Sequence, residues 1–288
     1  MALANRKIGY DEVEPRDLHF DVSAVPKYWM NNDPWTTHWW NAILAAVPEG
    51  ERWVMQAVRR NLSRLDNEEV RKAAIGFIKQ EHYHAREGEA LNDALRAQGV
   101  AIDQVEAGFL KIRGLIEKLF GDGMQLSLVA AFEHFTGTIS SLFVDHPELM
   151  KGMDPAVASM MAWHMVEETE HKSVSYDVFQ DAVGSYPKRV AGLVIATVVF
   201  LAMTEYQRLY LVYKDGQLFN WRSALRALSF QYVYPGVMRR LASRYLPYYL
   251  PGFHPWDDDN RAKIQSWKRV FRSTQDAAKA YSALLAAA

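Results

Sequence analysis

Not one cysteine occurs among the 288 residues of the chain. Disulfides, thiolate metal sites and cysteine nucleophiles are thereby excluded, and the composition fits a reducing compartment. An excess of charge is lacking too: 33 basic against 34 acidic residues leave a formal net charge of −1. Without a global basic field, no nucleic-acid partner is expected. Runs that alternate apolar and polar residues are missing, which argues against sheet. The opening "MALANRKIGYDEVEPRD" has no apolar core of a secretory signal, so the chain reads as cytoplasmic. The longest uncharged stretch, "VAGLVIATVVFLAMT", runs from Val190 to Thr204. It falls short of the about 20 residues that span a bilayer, so a buried or interfacial helix is expected there.

What is present is apolar content, 49% of the chain. That suffices for a large core in one domain, or in a domain with an extension. Residues 1–33, with Pro15 and Pro26, read as an irregular lead-in. From Pro34 the 3.6-residue period takes over. A short helix "WTTHWWNAILAA" is expected to break at Pro48-Glu49-Gly50 and to resume through "ERWVMQAVRRNLSRL". Asn67 caps a helix over 68–97, which Gly99 ends. Further helices are expected at about 102–119 and from Met124 to about Val144. Asp154 and Pro155 open another that reaches about Val183. The fold class is all-α: a helical bundle over 34–183, followed by a helical, aromatic-rich extension over 184–288 packed on it.

From Gly216 to Trp256 the chain has no Asp or Glu, yet it has five arginines and ten aromatic residues. Two readings stay open. The aromatics cap one end of the bundle while the arginines reach to water. Alternatively a peripheral helix pair lies on lipid at the inner face of a membrane.

The polar chemistry is concentrated elsewhere. In "KQEHYHAREGEAL" Glu81 and His84 stand three apart and share a helical face. "WHMVEETEHKSV" repeats the arrangement with Glu168 and His171. Each pair offers a metal one carboxylate and one imidazole. A dimetal bundle completes such a set with one Glu from each of two further helices. Glu51 lies 30 residues before the first pair and Glu133 lies 35 before the second, intervals that suit antiparallel hairpins. Glu51 is preferred over Glu49 because its stripe is apolar. Around Glu133 the residues Leu126, Val129, Ala130 and Gly137 are apolar, and a buried carboxylate there wants a cation.

His164 and Glu167 share the stripe of Glu168 and His171. For His164, three roles stay open: a seventh ligand, a hydrogen-bond partner behind a ligand, or a core histidine. His82 and His134 point about 100° from their neighbouring ligands and read as packing residues. Tyr83 and Tyr176 show no redox role. The carboxylate-rich donor set suits two Fe ions, or Mn or a mixed Fe/Mn pair, better than Zn.

The segments "PEGERWV", "QEHYHA", "AAFEHFTG", "WHMVEETEHKSVSYDVF" and "PGFHPWDDDN" resemble a bacterial family catalogued as predicted metal-dependent hydrolases. Residues 34–183 resemble the ferritin-like di-iron carboxylate proteins. That resemblance implies a ferritin-like bundle with Glu51, Glu81, His84, Glu133, Glu168 and His171 as the six ligands. It also implies O2-dependent oxidation or oxygenation of a hydrophobic small molecule, with an external electron donor. The alternatives are a hydrolase using a metal-bridging hydroxide, with Glu167 or His164 as proton shuttle, and a non-catalytic metal-binding protein. No role follows for "FHPWDDDN": His254 and Asp257 either close over the site or form a capped turn. A homodimer is left open.

Overall fold

Helix boundaries follow from local capping chemistry. A computed structural model describes residues 13–286, so the first twelve residues of the lead-in and the question of a signal lie outside it. Asp33 accepts the Thr36 backbone N–H at 3.0 Å and starts α1, Pro34–Leu44. Asn67 accepts the amides of Glu69 and Val70 and starts α3, Glu68–Ala97, which follows α2, Val47–Asn61. After α4, Ile102–Leu119, and α5, Asp122–Asp145, Asp154 accepts the Ala156 amide at 2.9 Å at the head of α6, Pro155–His171. Each such cap contributes about 1 kcal/mol. The chain continues through α7, Val174–Ala182, and α8, Tyr186–Lys214. It ends in α9, Trp221–Leu228, α10, Val237–Tyr245, α11, Arg261–Thr274, and α12, Ala277–Ala286. The protein is all-α: among the described residues no strand forms, only an isolated bridge between Met30 and Met153.

Three local expectations are corrected. Pro48, Glu49 and Gly50 do not break the chain but form the first turn of α2, where a proline lacks no needed donor. The helix opened by Asp154 stops at His171 and restarts at Val174. The third is α8, which extends well beyond the uncharged Val190–Thr204 stretch at both ends. By length and composition α5 and α8 could each cross a membrane, but 83% of the apolar window of α5 is buried against 28% for α8.

One apolar cluster runs from Val22 to Leu284 and includes the fully buried Trp29, Trp40, Trp53, Trp163 and Trp267. At its centre α5 packs against α6, α7 and α8, while α2 packs along α3. Gly137 permits the close approach of α5 to Lys172, since an added Cβ would sit 2.8 Å from the Lys172 Cβ. Helices α11 and α12 lie on α6. This arrangement turns faces of α2, α3, α5 and α6 toward one buried volume.

Candidate metal centre

Each of those four helices contributes acid to that volume. Glu51 comes from α2, Glu81 and His84 from α3, Glu133 from α5, and Glu168 and His171 from α6, and all six are buried. Glu51, His84, His164 and Glu168 offer ligand atoms that all lie within 4.8 Å of one another. Glu81, Glu168 and His171 form a second such group, so Glu168 is common to both. Its Oε1 lies 3.6 Å from His84 Nδ1, 3.5 Å from His171 Nε2 and 3.4 Å from His164 Nε2. Glu133 belongs to neither group but reaches within 3.8 Å of His171 Nε2. His164 also lies 3.8 Å from Glu51 and stacks on His84 with ring centroids 4.2 Å apart.

Many of these atoms have no hydrogen-bond partner. Both oxygens of Glu51 and of Glu81, one each of Glu133 and Glu168, His84 Nδ1 and His171 Nε2 lack a well-directed hydrogen bond, although Glu81 Oε1 and His171 Nε2 stand 3.0 Å apart as an ion pair. Unsatisfied buried polar atoms cost about 1–3 kcal/mol each, more when charged, so eight in one place require an account. Four carboxylates here carry the charge that two divalent cations neutralise, and the donors are all oxygen and nitrogen. The residues present therefore fit a pair of hard or borderline divalent ions.

The opposite nitrogens of both histidines are tied down. His84 Nε2–H donates to Glu167 Oε2 at 3.2 Å, and Arg16 holds the other oxygen of Glu167 at 2.8 Å. His171 Nδ1–H donates to Gln80 Oε1 at 2.9 Å. The Gln80 amide is fixed in turn because its nitrogen donates to Glu170 and to the Glu14 carbonyl. Glu170 is also paired with Arg16 at 2.8 Å and with Lys268 at 3.1 Å. Each imidazole thus turns its free nitrogen inward, the orientation that a metal-binding histidine needs.

Electrostatics follow from this crowding. Burial, reinforced by Glu81, pushes the Glu51 and Glu133 carboxyls well above the usual range. Burial opposes the charge of His84, but Glu167, Glu168 and Glu81 outweigh it and hold the group at about 10. His171 is likewise held well above its ordinary value, against burial, by Glu168 and Glu81. Glu168 resists burial through His171, His164 and His84 and stays well below its ordinary value. Burial and the neighbouring His84 push His164 down.

One side of the cluster is open. Glu51, Glu133, His164 and Glu168 face a cavity of about 90 Å³ between α1, α2, α5 and α8. Its other walls are apolar, among them Ile43, Trp53, Val54, Phe109, Phe132, Phe200 and Met203. Glu167 does not face it; its carboxylate stands behind His84.

The remaining motif residues lie outside the cluster. His82 is exposed, whereas His134 is buried, donates to the Tyr245 carbonyl and lies against Tyr248. The Tyr176 hydroxyl donates to the Phe253 carbonyl at 2.6 Å. "FHPWDDDN" forms a capped turn: His254 Nδ1 accepts the Trp256 amide, Asp257 accepts the His254 amide, and His254 Nε2–H donates to Asp177. Sequence reasoning missed Arg16, Gln80, Glu170 and Lys268. The acid density of "EETEH" is the one local signal that pointed to counter-charges nearby.

A family model described as a predicted metal-dependent hydrolase matches residues 14–259. No curated protein and no solved structure matches the chain.

Proposed function

Taking as premise that the chain belongs to the family of predicted metal-dependent hydrolases, we propose that it is an enzyme built on a dinuclear metal centre. In this reading Glu51, His84 and Glu168 would hold one ion, and Glu81, Glu133, Glu168 and His171 would hold the other. The observation that carries it is the set of eight orphaned nitrogen and oxygen atoms in one buried cluster. The order Glu, Glu-x-x-His, Glu, Glu-x-x-His on four helices is that of the ferritin-like di-iron carboxylate proteins.

We assign to the centre O2-dependent oxidation of a hydrophobic organic substrate, with electrons from an external donor. Support comes from the carboxylate-rich donor set and from the apolar cavity on the open side. Bound iron or manganese would supply the redox chemistry, and in a hydrolytic enzyme either ion, or zinc, would supply Lewis acidity. The chain's own residues do the rest. Glu167 and Gln80 each fix one ring nitrogen, so that the other nitrogen of His84 and of His171 is aimed inward. The cavity walls exclude water from the reacting side. At about 90 Å³ the cavity takes O2 or the reacting end of a substrate, not a large molecule. His164, at the cavity edge and held neutral by burial, is placed to accept a proton.

Hydrolysis is the second reading, favoured by the family's description. There His164 would act as the base toward an attacking water. The test begins with metal content of the purified protein by mass spectrometry. Anaerobic reduction and rapid mixing with O2 then follow. Two irons per chain and a transient visible absorbance support oxidation. Two manganese or zinc ions, inert toward O2, move the assignment to hydrolysis. Failure to bind stoichiometric metal under any reconstitution refutes the centre itself.

A further inference from the structure

We propose that the face built from α8, α9 and α10 docks, lying flat, on a bilayer containing anionic phospholipid. Large apolar side chains stand in water along this face. Phe219 is 90% exposed, Tyr234 79%, Val198 64% and Trp221 63%. Leu201 and Leu246 are exposed as well, by 40% and 57%. Leu201 of α8 and Leu246, just beyond α10, line one groove of about 170 Å³ together with Phe135, Met238 and Leu241. Extended apolar surface of this kind marks an interaction site.

Helix α8 has two distinct sides. Toward the bundle it turns Gly192, Leu193, Ala196 and Leu211, all buried. Two of its buried polar side chains reach carbonyls there: Arg189 donates to the Leu250 carbonyl at 2.6 Å and Gln207 to the Val105 carbonyl at 3.2 Å. Away from the bundle it turns Val194, Val198, Leu201 and Leu209. A helix with one side committed to a protein core and the other apolar and bare suits the plane of an interface, not a crossing.

Charge selects the occupant. No Asp or Glu occurs from Gly216 to Trp256. Of the five arginines there, Arg226 is paired with Asp33, and Arg244 with Asp145 and Asp258. Arg222 and Arg239 are exposed and form no ion pair with a described residue. The Arg222 guanidinium lies 5.3 Å from the Trp221 ring centroid. Arginine beside aromatic residues, flanking bare aliphatic ones, is the composition of a headgroup boundary. On the α8 stripe the one acid, Glu205, is paired with Arg208; a second copy docked two-fold would set the acid-free 216–256 segment against itself, arginine toward arginine, whereas anionic headgroups complete it. The docking is independent of which metal chemistry the buried centre performs.

The test uses the full chain floated on a density gradient with vesicles of phosphatidylcholine alone or of phosphatidylcholine with phosphatidylglycerol. The expected result is co-flotation with the phosphatidylglycerol vesicles, weakening as salt rises. The double variant Arg222→Glu/Arg239→Glu should bind them about 30-fold more weakly. The double variant Phe219→Ser/Trp221→Ser should lose flotation altogether. All four side chains are exposed, and circular dichroism checks that the fold is retained. Wild-type protein that stays at the bottom with both vesicle types overturns the proposal. Flotation that neither variant weakens overturns the assignment of the face. A vesicle-independent dimer, dissociated by Phe219→Ser/Trp221→Ser, would instead give the face to a second copy.

Discussion

His84 Nε2 on α3 meets Glu167 Oε2 on α6 at 3.2 Å, and the nitrogen left over, Nδ1, is orphaned toward the carboxylate cluster. Glu167 is thus a positioning residue: it fixes the angle of the His84 imidazole. Glu167→Gln keeps the size but removes the charge that Arg16 and His84 share. Metal affinity should fall about 10–100-fold while the helical fold persists. Calorimetric titration of the metal-free protein measures this, and unchanged affinity would contradict the role.

Glu168 is common to both groups of ligand atoms, whereas Glu51 serves one. Glu168→Ala should therefore abolish binding of both ions, and Glu51→Ala should leave about half the metal. Mass spectrometry of the native variants decides; equal losses in the two would dissolve the distinction.

Metal must compete with protons. His84 sits at about 10 in the metal-free protein because its carboxylate neighbours outweigh burial, and Glu51 and Glu133 are raised by burial and by Glu81. Near neutral pH His84 carries a proton that an ion displaces, and the raised Glu51 and Glu133 hold theirs to higher pH than ordinary carboxyls do. The sign follows: affinity rises with pH, by about tenfold per pH unit for each proton released. Titrations in buffers of different ionisation enthalpy would count those protons, and a count of zero would refute the ligand assignment.

Arg16 reaches from the lead-in into a pocket between Glu167 and Glu170. Burial works against its charge, but Glu170 and Glu167 hold it well above its ordinary value. Arg16→Ala takes the guanidinium from two buried carboxylates, leaving Glu170 to Lys268 and Glu167 to His84, and should destabilise the protein by about 3 kcal/mol. Urea denaturation measures the loss. Arg16→Lys should recover part of it, since a point charge serves one carboxylate better than two.

Gly137→Ala would place a methyl group 2.8 Å from the Lys172 Cβ and 3.5 Å from its Cα, at the root of the side chain rather than at its flexible tip. Overpacking of about 1–3 kcal/mol is expected. Because Lys172 follows His171, metal content should fall as well, and a variant of unchanged melting temperature would show that α5 can retreat.

Where sequence and structure agree, the signal is local. Asn67, Asp154 and Gly99 mark boundaries through chemistry confined to one turn, and the Glu-x-x-His spacing declares a shared face wherever the helix lies. The α6–α7 interruption was hidden because neither Lys172 nor Ser173 is a helix breaker. Both keep right-handed backbone angles, φ −52° and ψ −20° at Lys172, while the Lys172 ammonium is held by the Asp258 carbonyl and Asn260, far along the chain. Arg16 and Lys268 were illegible for the same reason: nothing in their own neighbourhoods reports the two glutamates they reach. Burial of a charge is a property of the partner, and the partner is 151 residues away in the case of Arg16 and Glu167.

Glu170 draws its counter-charges from opposite ends of the chain, Arg16 before the first helix and Lys268 in α11. Gln80, and through it His171, leans on that same carboxylate. During synthesis the ligand-bearing helices emerge well before Lys268 does. Until α11 exists, the chain of contacts behind His171 lacks one of its cations, so a chain clipped ahead of α11 is expected to hold that imidazole less firmly even with every candidate ligand in place.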